Sequence, residues 1–171
     1  MVAFIDDSSE WQRLDWCILQ NGSINVYYRK EIFNEAIDWF LENNYAKFEF
    51  DCGTWSSEKD FHAKVKNRFN FPDYYGENLN AFNDCLRGID IPYQSGAIIT
   101  FLGYDLFCKQ FPDIAQAVLD ILEINSRRFL LTGRRMITLI QSNDPNISLN
   151  PVGACPILWN SKEWVKSSRG L

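Results

Sequence analysis

The sequence predicts an α/β fold built on a parallel sheet, and three features carry that expectation. Ala97-Ile98-Ile99-Thr100-Phe101-Leu102 and Met136-Ile137-Thr138-Leu139-Ile140 are nearly unbroken apolar runs, the pattern of strands covered on both faces. Between them Ile114, Ala117, Val118, Ile121 and Leu122 recur at helical spacing just after Pro112, so a helix joins the two runs. Strand, helix and strand at these lengths call for a right-handed parallel crossover. With 171 residues, 46% of them hydrophobic and 15% aromatic, the chain fits one domain, or one domain with an appendage, and can bury a sizeable core.

The remaining elements follow in chain order. Leu14-Asp15-Trp16-Cys17-Ile18-Leu19 and Ile24-Asn25-Val26-Tyr27-Tyr28 flank Gln20-Asn21-Gly22-Ser23, whose Asn-Gly step suits a tight turn, and this pattern predicts a β-hairpin. Phe33, Ala36, Ile37, Phe40 and Leu41 share one helical face that ends at Asn43-Asn44. Lys47-Phe48-Glu49-Phe50-Asp51 alternates like a half-buried strand beginning near Tyr45, and Gly53 breaks it. Ser57, with Asp60 three positions on, suits a helix cap, and Phe61, Val65 and Phe69 continue that helix until Pro72. Leu79, Phe82, Cys85 and Leu86 mark one face of a short helix between Gly76 and Gly88, and Asn80, Asn83, Asp84 and Arg87 lie on its other face.

From Asn143 onward Pro145, Pro151, Gly153 and Pro156 interrupt regular structure, leaving Ile157-Leu158-Trp159 and Trp164-Val165 as apolar anchors. The expected organisation is a hairpin-and-helix extension over residues 1–44 packed on the core, a main α/β domain over 45–142, and an irregular tail over 143–171 packed on the surface. The pattern leaves open whether the extra strands join the main sheet or form a small one of their own.

Composition removes several function classes. The formal net charge is -5 and the sequence pI is about 4.9, which repels a phosphate backbone, so direct nucleic-acid binding is not expected. No apolar run reaches the roughly 18 residues of a membrane span, and the N-terminus has no basic region followed by an apolar stretch, so no membrane association is expected and the location expected is cytoplasmic. Cys17, Cys52, Cys85, Cys108 and Cys155 are odd in number and widely spaced, which fits reduced, mostly buried thiols and neither a disulfide framework nor a metal site. His62 is the single histidine and sits among charged neighbours, as an exposed helix residue would. Lys59, Lys64, Lys66 and Arg68, and likewise Arg127, Arg128, Arg134 and Arg135, fit solvated faces better than an RNA patch, since no aromatic-interleaved motif accompanies them. Asp73, Glu77 and Asp84 have no sugar-binding tryptophan pattern beside them. No catalytic residue and no cofactor are assigned.

The most unusual stretch is Pro72-Asp73-Tyr74-Tyr75-Gly76-Glu77-Asn78-Leu79-Asn80-Ala81-Phe82-Asn83-Asp84-Cys85-Leu86-Arg87-Gly88. Tyrosines and acids on a glycine-broken loop and helix make a rigid acidic face with aromatic anchors, suited to a cationic partner. The same residues also suit a tyrosine pair in the core beside a solvated helix face, and spacing alone does not choose between the two.

This segment, from Phe71 to Gly88, resembles the signature loop and helix of the barstar family, intracellular inhibitors of ribonucleases. The order of elements from Tyr45 to Ser142 fits the same family, with the strand Ala97-Phe101, a helix over Asp113-Ser126 and a last strand Met136-Ile140, and the resemblance implies that the family's second inhibitory helix ends here near Glu123-Ile124, with Arg127-Arg128 following. The resemblance implies a three-stranded parallel sheet with flanking helices, and inhibition by plugging the active site of a basic ribonuclease or nuclease toxin, as an immunity protein does. Tyr74, Tyr75, Gly76, Asn78, Ala81, Asp84 and Gly88 match family binding positions, and Asn80, Asn83 and Arg87 complete the polar face. Asn80 and Asn83 stand where the family often has an acid and a tryptophan, and Ile89 replaces a second tryptophan. A carboxylate such as Asp84 can take the place of a substrate phosphate among arginines and lysines. The protein is then a monomer when free; the alternative is an interaction module of the same fold whose partner is not a nuclease.

Overall fold

A computed structural model describes residues 2–92 and 95–171. Among these residues five strands form one wholly parallel sheet: β1 (Ile24–Tyr27), β2 (Tyr45–Asp51), β3 (Gly96–Leu102), β4 (Met136–Gln141) and β5 (Leu158–Trp159), in the order β2-β3-β4-β1-β5. Among the described residues six α-helices cover it: α1 (Leu14–Leu19), α2 (Lys30–Glu42), α3 (Glu58–Phe69), α4 (Leu79–Leu86), α5 (Tyr104–Gln110) and α6 (Pro112–Leu131). The fold is therefore α/β with a parallel sheet, as the apolar runs require.

The two faces of the sheet hold separate cores. Phe61, Val65, Phe82, Leu86, Phe107, Leu119 and Leu122 from α3 to α6 pack on Phe50, Ile99, Phe101 and Ile140. On the other face, Ile18 of α1 and Phe33, Ile37 and Phe40 of α2 pack on Tyr27, Tyr45, Ile98, Ile137 and Leu139. Strands β3 and β4 are buried on both sides, which is why their sequences do not alternate. Gly96 opens β3 at φ +158°, and a Cβ there would lie 2.4 Å from the Arg135 carbonyl oxygen, so only glycine lets the two strands approach at this point.

The N-terminal hairpin expected from the sequence is absent. Leu14–Leu19 is a helix, and β1 pairs in parallel with β4, from Ile24 opposite Thr138 to Tyr27 opposite Gln141. The cause is tertiary. The Asp15 carboxylate is fully buried and accepts hydrogen bonds from the Tyr45 hydroxyl at 2.6 Å, Arg135 Nη1 at 2.8 Å and Arg13 Nη2 at 2.9 Å. A strand would have sent Asp15 and Ile18 to opposite faces, whereas one helical turn buries both. The Asn21-Gly22 step turns the chain from α1 into β1, with Gly22 at φ +117°. The extra strand thus extends the main sheet, and the three strands implied by the resemblance become five.

Further differences lie downstream. Helix α5 has no counterpart in the sequence pattern, because seven residues are too short for periodicity to register, although Tyr104 and Phe107 are buried. Helix α6 runs to Leu131 and does not stop near Glu123-Ile124: Arg127 pairs with Glu123 one turn back at 3.0 Å, and Phe129 is buried. Arg127 is engaged by Glu123, and Arg135 is buried against Asp15 and so is not the solvated residue expected. The tail contributes β5, paired with β1, and is held by the buried Glu163 carboxylate, which accepts from the backbone N–H groups of Tyr28 and Arg29, both at 2.9 Å. Burial pushes the Glu163 carboxyl up, but these hydrogen bonds and those from Asn160 and Arg29 outweigh it and hold it below the ordinary range. Trp164 and Val165 are exposed, so they are not the anchors expected; Trp159, under the Arg169 guanidinium at 4.2 Å, is one.

Candidate partner-binding face

Helix α3 begins with a full capping box, in which the Ser57 hydroxyl accepts from the Asp60 N–H and the Asp60 carboxylate accepts from the Ser57 N–H. Its buried face comprises Phe61, His62, Val65 and Phe69. His62 is thus 1% exposed and not the solvated residue expected. Residues 62, 65 and 69 lie on one helical stripe, so the spacing held the signal, but the charged neighbours obscured it.

His62 fixes the loop that follows. Its Nδ1 lies 2.5 Å from the Tyr75 hydroxyl, and its Nε2 is 3.5 Å from a Glu58 carboxylate oxygen. The carboxylate favours the proton on Nε2, which leaves Nδ1 to accept from the Tyr75 O–H. Burial holds the His62 pKa below its ordinary value, partly offset by Glu58 and Glu77, and burial pushes the Tyr75 phenol well up. Tyr75 is accordingly 5% exposed and packs on Phe71, so it supports the loop from beneath; the sequence had placed it among contact residues.

The histidine sets an expected pH response. A group whose folded pKa is depressed adds stability above its unfolded pKa, about 6.5 for histidine, and that contribution is lost as pH falls through the folded value. Acidification from neutrality should therefore loosen the Tyr74–Asn78 loop before the carboxylates titrate. Protection of the amides in this loop, corrected for intrinsic exchange, should fall as pH drops below about 6.5 in the parent but not in His62→Gln; an equal fall in the variant would remove His62 from the explanation.

Past Tyr75 the chain turns sharply into α4. The Asn78 side chain caps the helix, accepting from the Ala81 N–H at 2.9 Å and donating to the Gly76 carbonyl at 3.0 Å. A Cβ on Gly76 would come within 3.1 Å of the Asn78 amide nitrogen, so glycine at 76 permits the cap. Phe82 and Leu86 are fully buried against α3 and α6, which fixes the rotation of α4 and points the opposite face outward.

That outward face gathers most of the residues singled out from sequence. Tyr74 is 86% exposed; Gly76, Asn78, Asn80, Asp84, Arg87 and Gly88 are exposed, and Ala81 and Asn83 are half-buried. Asn83 is tied down, its Oδ1 accepting from Asn125 Nδ2 of α6 at 2.8 Å. Asp84 is 3.5 Å from Arg87, an exposed contact that neutralises it little. Tyr74, Asp84 and Gly88 border a hollow of about 400 Å³ floored by Phe69, Phe71 and Ile89. Asn125 and His62 are the structural contributors that sequence reading did not assign. Among the described residues no three His, Cys, Asp or Glu side chains are grouped to hold a metal ion, and no helix is long and apolar enough to cross a membrane. All five cysteines are free; Cys52 is buried, Cys17 exposed and the others intermediate.

A family model described as Barstar (barnase inhibitor) matches residues 45–141, more than half of the chain and all of this face. The chain belongs to the barstar family. A similar curated protein is the "Putative ribonuclease inhibitor YrdF" of Bacillus subtilis (strain 168), 53% identical over 32 residues, which is 18% of this chain and 35% of that protein. The aligned stretch thus spans about a third of the relative's length. The barstar region comprises β2, α3, α4, β3, α5, α6 and β4, and the segments outside it supply α1, β1, α2 and β5.

Proposed function

We propose that the protein is a non-enzymatic inhibitor that blocks a basic ribonuclease or nuclease toxin by inserting the Tyr74–Gly88 loop and helix into its active site. The observation that carries this reading is an exposed tyrosine and an exposed carboxylate, Tyr74 and Asp84, at the rim of one hollow on a backbone locked by the His62–Tyr75 and Asn78 hydrogen bonds. Asp84 occupies the place of a substrate phosphate and accepts charge-assisted hydrogen bonds from the enzyme's arginines or lysines. Tyr74 supplies rigid aromatic area at low entropic cost. Because the His62–Tyr75 and Asn78 hydrogen bonds hold the loop within the chain itself, less conformational entropy opposes docking.

The name of the curated relative and the family description support an inhibitor of this kind. Asn80 and the amide nitrogen of Asn83 place neutral groups beside Asp84, so the matching cleft carries fewer cations at its centre than one built for an acid and an indole. The test is co-expression with basic nucleases encoded beside it, followed by titration of the purified pair. A stoichiometric complex with loss of nuclease activity, associating more slowly as salt rises, is the expected result. A tight complex in which the nuclease stays active, or whose partner is not a nuclease, overturns the reading.

A further inference from the structure

We propose that the open edge of β2 is a self-association surface, on which a second copy of the chain adds its own β2 in antiparallel register and joins the two sheets into one. Among the described residues strand β2 ends the sheet and pairs with β3 alone, so alternate backbone N–H and C=O groups on its outer side have no sheet partner there. All seven residues from Tyr45 to Asp51 pair consecutively with β3, with no bulge, and none is proline or glycine. Natural sheets usually shorten, bend or charge such an edge.

The one cation on this strand does not guard it. Lys47 Nζ lies 2.7 Å from Glu49 Oε2, and side chains two apart share a face, so the pair is neutral as seen by an approaching strand. An antiparallel copy related by a twofold axis through Phe48 engages all seven residues, and opposed residues lie on the same face. Lys47 then stands opposite Glu49 of the second copy and Glu49 opposite its Lys47, while Ala46 meets Phe50 and Phe48 meets its own counterpart. Lys47 and Glu49 thus face opposite charges, and Ala46, Phe48 and Phe50 face apolar residues, the pairing that stabilises sheets, while Tyr45 at each end meets Asp51. A groove of about 710 Å³ beside the C-terminal half of β2, walled by Ile37 of α2 and by Lys64 and Arg68 of α3, leaves the edge approachable. No residue of the α4 face takes part, so the proposal stands apart from the inhibitor reading.

The test uses charge reversal in the full-length chain, with circular dichroism to verify folding. The parent should sediment as a concentration-dependent dimer. Lys47→Glu and Glu49→Lys each place like charges across the twofold and should weaken dimerisation about tenfold or more. Mixing the two variants should restore it, because every cross-strand pair between them is then opposite in charge although neither chain keeps its internal pair. In a Cys17→Ser background, Phe48→Cys should form a covalent dimer on oxidation. A parent that is monomeric at every concentration overturns the proposal, including the case in which an acidic extended segment of another protein, drawn by Lys64 and Arg68, occupies the groove. A dimer unaffected by either reversal, or a mixture that fails to associate, overturns it equally.

Discussion

Asp15→Ala should destabilise the protein by about 3 to 5 kcal/mol, the loss typical when one member of a buried ion pair is removed. The carboxylate is wholly buried and is the shared acceptor for Arg13, Tyr45 and Arg135. Arg135 is itself buried, and without Asp15 its positive charge keeps the desolvation cost and loses that counterion. Such a loss is a large fraction of the 5 to 15 kcal/mol that holds an ordinary domain together. The three donors also tie α1, β2 and the entry to β4 at one point, so the variant should release the N-terminal segment first. Urea denaturation of parent and variant measures the difference, and a shift below about 1 kcal/mol, the range of an exposed pair, would show that water reaches the site.

The same carboxylate makes stability depend on acid. Burial pushes the Asp15 carboxyl up, but the hydrogen bonds from Arg13 and Tyr45 and the charges of Arg13 and Arg135 outweigh it, leaving the group below the ordinary carboxylate range. A depressed folded value adds stability above the unfolded pKa, about 3.9 for aspartate, that disappears as pH falls through the folded value. This loss belongs at lower pH than the loosening that His62 produces.

Asp84→Ala should leave the fold intact and weaken inhibition by about 2 to 5 kcal/mol, roughly thirtyfold to several thousandfold in the inhibition constant. In the free protein the Asp84 side chain is 69% exposed and pairs with the likewise exposed Arg87, so stability should change within about 0.5 kcal/mol. In the proposed complex the same carboxylate is desolvated against cationic groups, which are left buried and unpaired when it is removed. Thermal melting checks the first half and a titration against the co-purified nuclease the second. A folded variant that inhibits within threefold of the parent would move the centre of binding away from α4.

How much of this was legible beforehand depends on whether a residue's role is set by its chain neighbours. The capping box at Ser57, the stripes of α2, α3 and α4, and the two-sided burial of β3 and β4 could be read because hydrophobic period and cap chemistry act over a few residues. Tyr74 and Asp84 stand exposed on the candidate face because Phe82 and Leu86, also visible in the pattern, fix the opposite side of α4. Tyr75 and His62 escaped, since a tyrosine and a histidine suit an interior or a surface equally until it is known that they meet across thirteen residues.

By itself the sequence determined the α/β class, most helices and strands of the barstar region, and the loop and helix that carry the candidate face. Tertiary structure decided the rest, through pairings that no local pattern contains. Leu14–Leu19 has the residues of a strand but becomes a helix because Asp15 must reach Tyr45 and Arg135, 30 and 120 residues away. Strand β1 bonds to β4 and not to its sequence neighbour, and the tail is held by Glu163, which satisfies backbone donors 134 and 135 residues earlier. A buried charge or an open strand edge is costly unless something distant completes it, and which distant residue does so is a property of the folded chain alone.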